Sequence, residues 1–122
     1  MTKRIVLEPY DKYDLATFVV HGDTVYISHF GGMFDDNGAK LSTIEAQTLQ
    51  TFKNLDKSLG EIRLSLKNVL KVTVILKDIS DFQGMHNSWR QIFKSDWPVR
   101  TTITSDFIDD DCLLQIDAVA GL

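Results

Sequence analysis

Cysteine is almost missing from this chain: Cys112 is the only one in 122 residues. One thiol excludes an intrachain disulfide and a cysteine-built metal cluster, and it fits a reducing, cytoplasmic setting. No stretch approaches the roughly 18 apolar residues of a membrane span. The opening MTKRIVLEPY has no apolar core of a secretory signal, so no membrane partner is expected. Pro/Gly/Ser linkers and low-complexity tracts are also missing, and the chain has the length of one domain spanning 1–122. A basic surplus is lacking: 13 Lys and Arg face 17 Asp and Glu, for a formal charge of -4. Lys67, Lys71 and Lys77 do not make a basic arm, so no nucleic-acid partner is expected. His21, His29 and His86 do not follow a metal spacing such as H-E-x-x-H, and no metal site is expected. The glycine stretch GGMFDDNG lacks the pattern of a phosphate loop.

What is present is a chain 43% hydrophobic with clear periodicities. RIVLE (Arg4–Glu8) reads as a short strand stopped by Pro9. TFVVHGDTVYIS reads as two strands about a tight turn, with Thr24, Tyr26 and Ser28 on one face and Val25 and Ile27 on the other. HFGGMFDDNGAK has no period and is a long loop. STIEAQTLQTFKNLDKSLG is a helix. Ser42 is placed to cap it with Glu45 completing a capping box, Ile44, Thr48, Phe52, Leu55 and Leu59 form a buried stripe, and Gly60 is the expected stop.

VLKVTVILKD alternates as a strand, with Leu70, Val72, Val74 and Leu76 opposed to Lys71, Thr73, Ile75 and Lys77. DFQGMHNSWRQIFKS is a second helix, N-capped by Asp81, with Phe82, Met85, Trp89, Ile92 and Phe93 on its apolar face. Trp89 is therefore assigned to the core. VRTTITS and CLLQIDAVA are the last two strands, joined by the acidic DFIDDD turn. The order β-β-(β)-α-β-α-β-β predicts an α+β fold, a single sheet with both helices on one face. The other face, with Ile75, Ile103, Leu113 and Val119, is left bare. A bare apolar face finds a partner, most commonly in a closed symmetric assembly.

Arg100 is the residue with the most pointed chemistry. Its guanidinium offers paired donors that match a carboxylate, and Thr102 shares its strand face. A structural ion pair and a carboxylate hook both account for it at this stage. Cys112 adjoins Asp109–Asp111, whose charge disfavours its thiolate. Trp97 precedes Pro98 close to the same strand.

Several stretches together resemble the RidA family, also called the YjgF/YER057c/UK114 family. GDTVYIS is similar to that family's first hairpin, and IEAQTLQTFKNLDKSL to its first helix with the EAQ opening. VLKVTVILKDISDF resembles VVKTTVFLTDMDDF, WPVRTT resembles FPARTT, and LLQIDAVA resembles VEIEAIA. The match runs in order from Gly22 to Ala120. It implies a homotrimer of chorismate-mutase-like domains with clefts between subunits. It also implies an activity: hydrolytic deamination of reactive 2-imino and enamine acids to 2-keto acids and ammonia, without metal or organic cofactor. The family's carboxylate hook falls on Arg100.

The sequence departs from the family elsewhere. The hairpin serine is kept as Ser28, but His29 and Phe30 replace the glycine and glutamine that follow it. The pocket tyrosine falls on Leu15, with Tyr13 two residues away, and the helix asparagine falls on His86, beside Asn87. The water-holding glutamate falls on Gln115, with Asp117 two residues on. A glutamine can orient a water but cannot accept its proton. His86 is then the residue placed to move a proton. The resulting site is Arg100, Gln115 and His86 for chemistry, with Ser28, His29, Thr102 and Asn87 as further ligand contacts. The alternative is a non-catalytic trimer that binds small carboxylates or has a regulatory role.

Overall fold

The computed structural model describes residues 1–122. Six strands and two helices follow the expected order: β1 (Thr2–Ile5), β2 (Phe18–His21), β3 (Thr24–Phe30), α1 (Ile44–Gly60), β4 (Val69–Leu76), α2 (Phe82–Ile92), β5 (Val99–Thr104) and β6 (Leu114–Gly121). β1 begins two residues earlier than RIVLE suggests and ends before Val6. The strands form one mixed sheet in the order β1-β2-β3-β6-β4-β5. β5 is an edge strand parallel to β4, reached through α2, and every other pairing is antiparallel. No helix is long and apolar enough to cross a membrane.

Alternation sorts the sheet into two faces. Val25 and Ile27 of β3, Val72, Val74 and Leu76 of β4, and Leu114, Ile116, Ala118 and Ala120 of β6 are all buried. They form one core cluster with Phe52, Leu55 and Leu59 of α1 and Met85 and Trp89 of α2. Both helices therefore cover the same face. Each fully buried Leu or Phe contributes about 1.5–3 kcal/mol of burial free energy. On the open face Tyr26 and Ile103 are about half exposed, at 51% and 47%.

Two strand irregularities reset the alternation. Between Val69 and Lys71 the pairing with β6 slips, so Val69 is buried and Leu70, expected with Val72 and Val74, is 57% exposed. Between Ile27 and Phe30 the register with β6 shifts again; His29 takes a left-handed φ of 59°, and Phe30 turns into the core.

The helix ends also differ from expectation. Thr43, not Ser42, caps α1, its side chain accepting from the Ala46 amide at 3.1 Å. Glu45 then stands two residues after the cap, one short of a capping box. α1 runs through Gly60 to a cap at Glu61, and the left-handed turn is made by Arg63 at φ 62°. Asp81 is the N-cap of α2 but makes no capping hydrogen bond; Asp78 instead accepts from Ser80 N at 2.9 Å in the turn before it.

Gln47, from the EAQ opening of α1, is fully buried and ties two loops to the core. Its amide nitrogen donates to the carbonyls of Leu41 and Asp111, and its amide oxygen accepts from Leu113 N, each at 2.9 Å. All its polar atoms but one lone pair are satisfied, which a buried amide requires.

Candidate functional site

Arg100 is paired with Val72 across the parallel β4–β5 ladder, so its side chain leaves the sheet on the helix-covered face. Thr102 pairs with Val74 and shares that face. There the guanidinium meets one stripe of α2, in which Phe82, His86, Trp89 and Phe93 recur at helical spacing. The Arg100 guanidinium carbon lies 4.7 Å from the Trp89 ring centre and 5.5 Å from that of Phe82. An Arg100 Nη nitrogen stands 3.1 Å from His86 Nδ1. His86 is stacked parallel on Phe82, 5.8 Å between ring centres.

This bed is itself anchored. Trp89 is 5% exposed and meets Phe52 of α1 edge-on at 5.6 Å and Phe93 at 4.5 Å. Arg100 rests on aromatic surface that belongs to the core. The reading of Trp89 as core is right as far as it goes, but the ring also serves the arginine. The signal was in the spacing of positions 82, 86, 89 and 93, which aligns a histidine with three aromatic rings.

No carboxylate is paired with Arg100. Its one side-chain hydrogen bond in the chain is to His86, and no buried polar atom lacks a partner, so its remaining N–H groups reach solvent. Burial lowers its affinity for the proton, without a neighbouring acid to offset the effect. A guanidinium held half-buried on aromatic faces, with free donors, is able to receive an anion from outside.

The other candidate residues lie elsewhere. Gln115 pairs with Ile75 and Asp117 with Thr73, which puts both on the open face, opposite to Arg100. Two strand spacings of about 4.8 Å also separate β6 from β5. Ser28 faces the same open side, where it lines a groove of about 370 Å³ with Tyr26, Lys71, Thr73 and Asp117. Within one chain, then, Arg100, Thr102 and His86 come together, and Ser28 and Gln115 do not join them. Asn87 points away from Arg100, its side-chain oxygen accepting from Gln83 at 2.9 Å on the exposed side of α2. His29 is exposed at the β3 bulge, and its backbone carbonyl accepts from the Tyr10 hydroxyl at 2.9 Å.

Tyr10 is the tyrosine of this segment that packs inward, 5.5 Å from Phe30, and burial pushes its phenol above the ordinary range. Tyr13 is 70% exposed and Leu15 47% exposed, beside Ala16 and Thr17 at the edge of the open-face groove. His86 and Trp89 also floor a second depression of about 480 Å³, rimmed by Arg90, Lys94 and Trp97. No three His, Cys, Asp or Glu side chains converge as metal ligands would.

Comparison with known proteins places this architecture. The profile of the family described as Endoribonuclease L-PSP matches residues 5–122. A human protein named 2-iminobutanoate/2-iminopropanoate deaminase is 33% identical over 98 residues, which is 80% of this chain and 72% of the human one. The Drosophila melanogaster RutC family protein UK114 is 31% identical over 117 residues, 93% of this chain and 81% of the fly protein. Among solved structures, a member of the highly conserved YjgF/YER057c/UK114 family from Mycobacterium tuberculosis has a TM-score of 0.86 over 100% of both chains, at 19% identity, a likeness of fold. An uncharacterized Pseudomonas aeruginosa protein has a TM-score of 0.81 at 27% identity, over 99% of this chain and 98% of that one. With a family profile matched over residues 5–122, the six-stranded sheet and both helices in place, the chain belongs to the RidA family, the YjgF/YER057c/UK114 proteins.

Proposed function

We propose that the protein hydrolyses reactive 2-imino and enamine acids to 2-keto acids and ammonia, and that it does so as a homotrimer. The observation that carries this reading is Arg100: half-buried, seated on Trp89 and Phe82, and without a carboxylate partner in its own chain. A 2-imino acid offers the missing carboxylate. Water adds to the imine carbon to give a carbinolamine; the C–N bond then breaks, the nitrogen takes a proton and leaves as ammonia, and the C=O remains. Such imines hydrolyse without help, so holding the carboxylate and a water in register is a sufficient contribution from the protein.

Arg100 anchors the carboxylate and Thr102 lines the strand beside it. Ser28, with backbone groups near it at the His29 bulge, orients the imine end, and Gln115 holds the water. Because Arg100 and Gln115 occupy opposite faces of one sheet, these roles require residues from two copies of the chain to meet in an intersubunit cleft. The family membership and the human relative's name support the same chemistry.

Gln115 also supports a second reading. It bears no negative charge, so the trimer would bind small carboxylates without turning over imines. One assay separates the two. 2-Iminobutanoate is generated in place by an amino-acid oxidase, and its loss is followed with and without protein. The expected result is acceleration by the wild type and a loss of about 10- to 100-fold in Arg100→Ala, the worth of a charge-assisted hydrogen-bonded pair. A rate equal to the uncatalysed one, rising in Gln115→Glu, identifies a binding protein on a competent scaffold.

A further inference from the structure

Arg100 donates and never accepts, since a guanidinium has no free lone pair at protein pH. Its contact with His86 Nδ1 at 3.1 Å therefore defines the imidazole: Nδ1 accepts, and the ring is neutral with its proton on Nε2. His86 Nε2 has no hydrogen-bond partner in the chain, and no buried polar atom is left unsatisfied, so Nε2–H opens to solvent. The ring lies parallel to that of Phe82, with 6° between the planes.

From this geometry we infer that His86 is a positioning residue that aims the Arg100 guanidinium through neutral Nδ1 and presents Nε2–H to the bound ligand. His86 is then not the base of the reaction. The nitrogen that would take a proton from water is already occupied by Arg100, and the other carries a proton. What it supplies is a fixed acceptor for the hook and one donor for the carboxylate or the imine nitrogen. Asparagine at this position would offer the same pair, an amide oxygen to accept and an amide N–H to donate. The histidine differs in one respect: it loses its acceptor when protonated.

The charged groups around His86 sharpen that difference. Arg100 faces it from β5, and Arg90 and Lys94 rim the depression it lines on the α2 side. Glu45 of α1 and Asp81 at the α2 N-cap lie near one another at the Gly84 end of the helix. An imidazolium at Nδ1 would face the guanidinium at contact distance with no carboxylate hydrogen-bonded or ion-paired between them.

The donor role rests on the proposed carboxylate chemistry; the positioning role does not. Two measurements on the full chain keep them apart. The first is nitrogen-15 NMR of the histidine side chains, with His86 assigned through His86→Asn. Above pH 7.5 the expected spectrum has Nδ1 unprotonated and shifted as a hydrogen-bond acceptor, and Arg100→Met returns that shift toward the free value. A proton on Nδ1, or a shift indifferent to Arg100→Met, overturns the inference whether or not imines are substrates. The second is calorimetric titration with pyruvate at pH 7.5. His86→Asn should stay within about threefold of the wild-type Kd. His86→Leu should weaken binding at least tenfold. His86→Leu binding as the wild type does removes the role. If pyruvate gives no heat with any variant while the NMR result stands, the carboxylate reading fails and the positioning of Arg100 by His86 survives.

Discussion

Cys112 lies beside three aspartates in sequence, yet its chemistry is governed by where its side chain goes. It is 3% exposed, and its thiol donates to the Leu114 carbonyl at 3.2 Å. Burial is the main cause that raises its pKa; Asp109 adds to the rise, while the Gln115 amide beside it pulls the other way. The charge argument from sequence has the right direction and a secondary weight. A group whose pKa is higher folded than unfolded holds its proton more tightly in the native state. Its contribution to stability is full below the unfolded thiol value of about 8.5 and is lost as pH rises through the folded value. We expect Cys112→Ala to flatten the loss of stability between pH 8 and 10 in urea titrations. Native protein at pH 8 should label with a maleimide no faster than it unfolds, and immediate stoichiometric labelling would contradict this.

Among the elements, α1 carries the cleanest test of where a helix begins. Ser42 and Thr43 are adjacent hydroxyl residues, and Glu45 made Ser42 the better candidate on spacing. The helix instead starts at Ile44, because Ile44 has to enter the core at 7% exposure, and that fixes Thr43 as the residue whose oxygen meets the Ala46 amide. Thr43→Ala is expected to cost about 1 kcal/mol in chemical denaturation, and Ser42→Ala close to nothing. Equal costs would mean that the cap is shared. Leu70 makes the parallel point for a strand: one extra residue in β4 turned an expected core leucine outward and left Val69 in its place.

For the molecule as a whole, two helices and one sheet leave a face whose chemistry is neither core nor ordinary surface. Tyr26, Ile75, Ile103 and Val119 alternate there with Lys71, Thr73 and Asp117. Packing three such faces together would bury that apolar area and place Gln115 at a boundary between subunits. Light scattering at micromolar concentration should give three times the 13.8 kDa chain mass. Ile103→Glu should lower the mass toward that of one chain and remove imine hydrolysis with it, because a charge buried in such a contact lacks a partner. A monomer mass for the wild type would leave the proposed cleft without its second half.

Much of the fold was legible in the order of residues. The alternation of β6 and of β3 as far as Ile27, the stripe of α1 and the two-residue turn of the first hairpin depend on neighbours a few positions apart, and each is where its period puts it; of the expected α2 stripe, Phe82 is 37% exposed. The donor chemistry of the Arg100 guanidinium was legible too, since it does not depend on the rest of the chain. Strand order was not: β6 enters between β3 and β4 and leaves β5 on the edge, a result of competition among segments distant in sequence for the most complete burial. Period two says that Arg100 and Thr102 share a face but not which one. That depends on the pairing of Arg100 with Val72, whose side chain the helices cover. The same pairing laid Arg100 on Trp89 against His86 and placed Gln115 on the far side, so candidate residues grouped together from the sequence are divided in space between two faces of a single sheet.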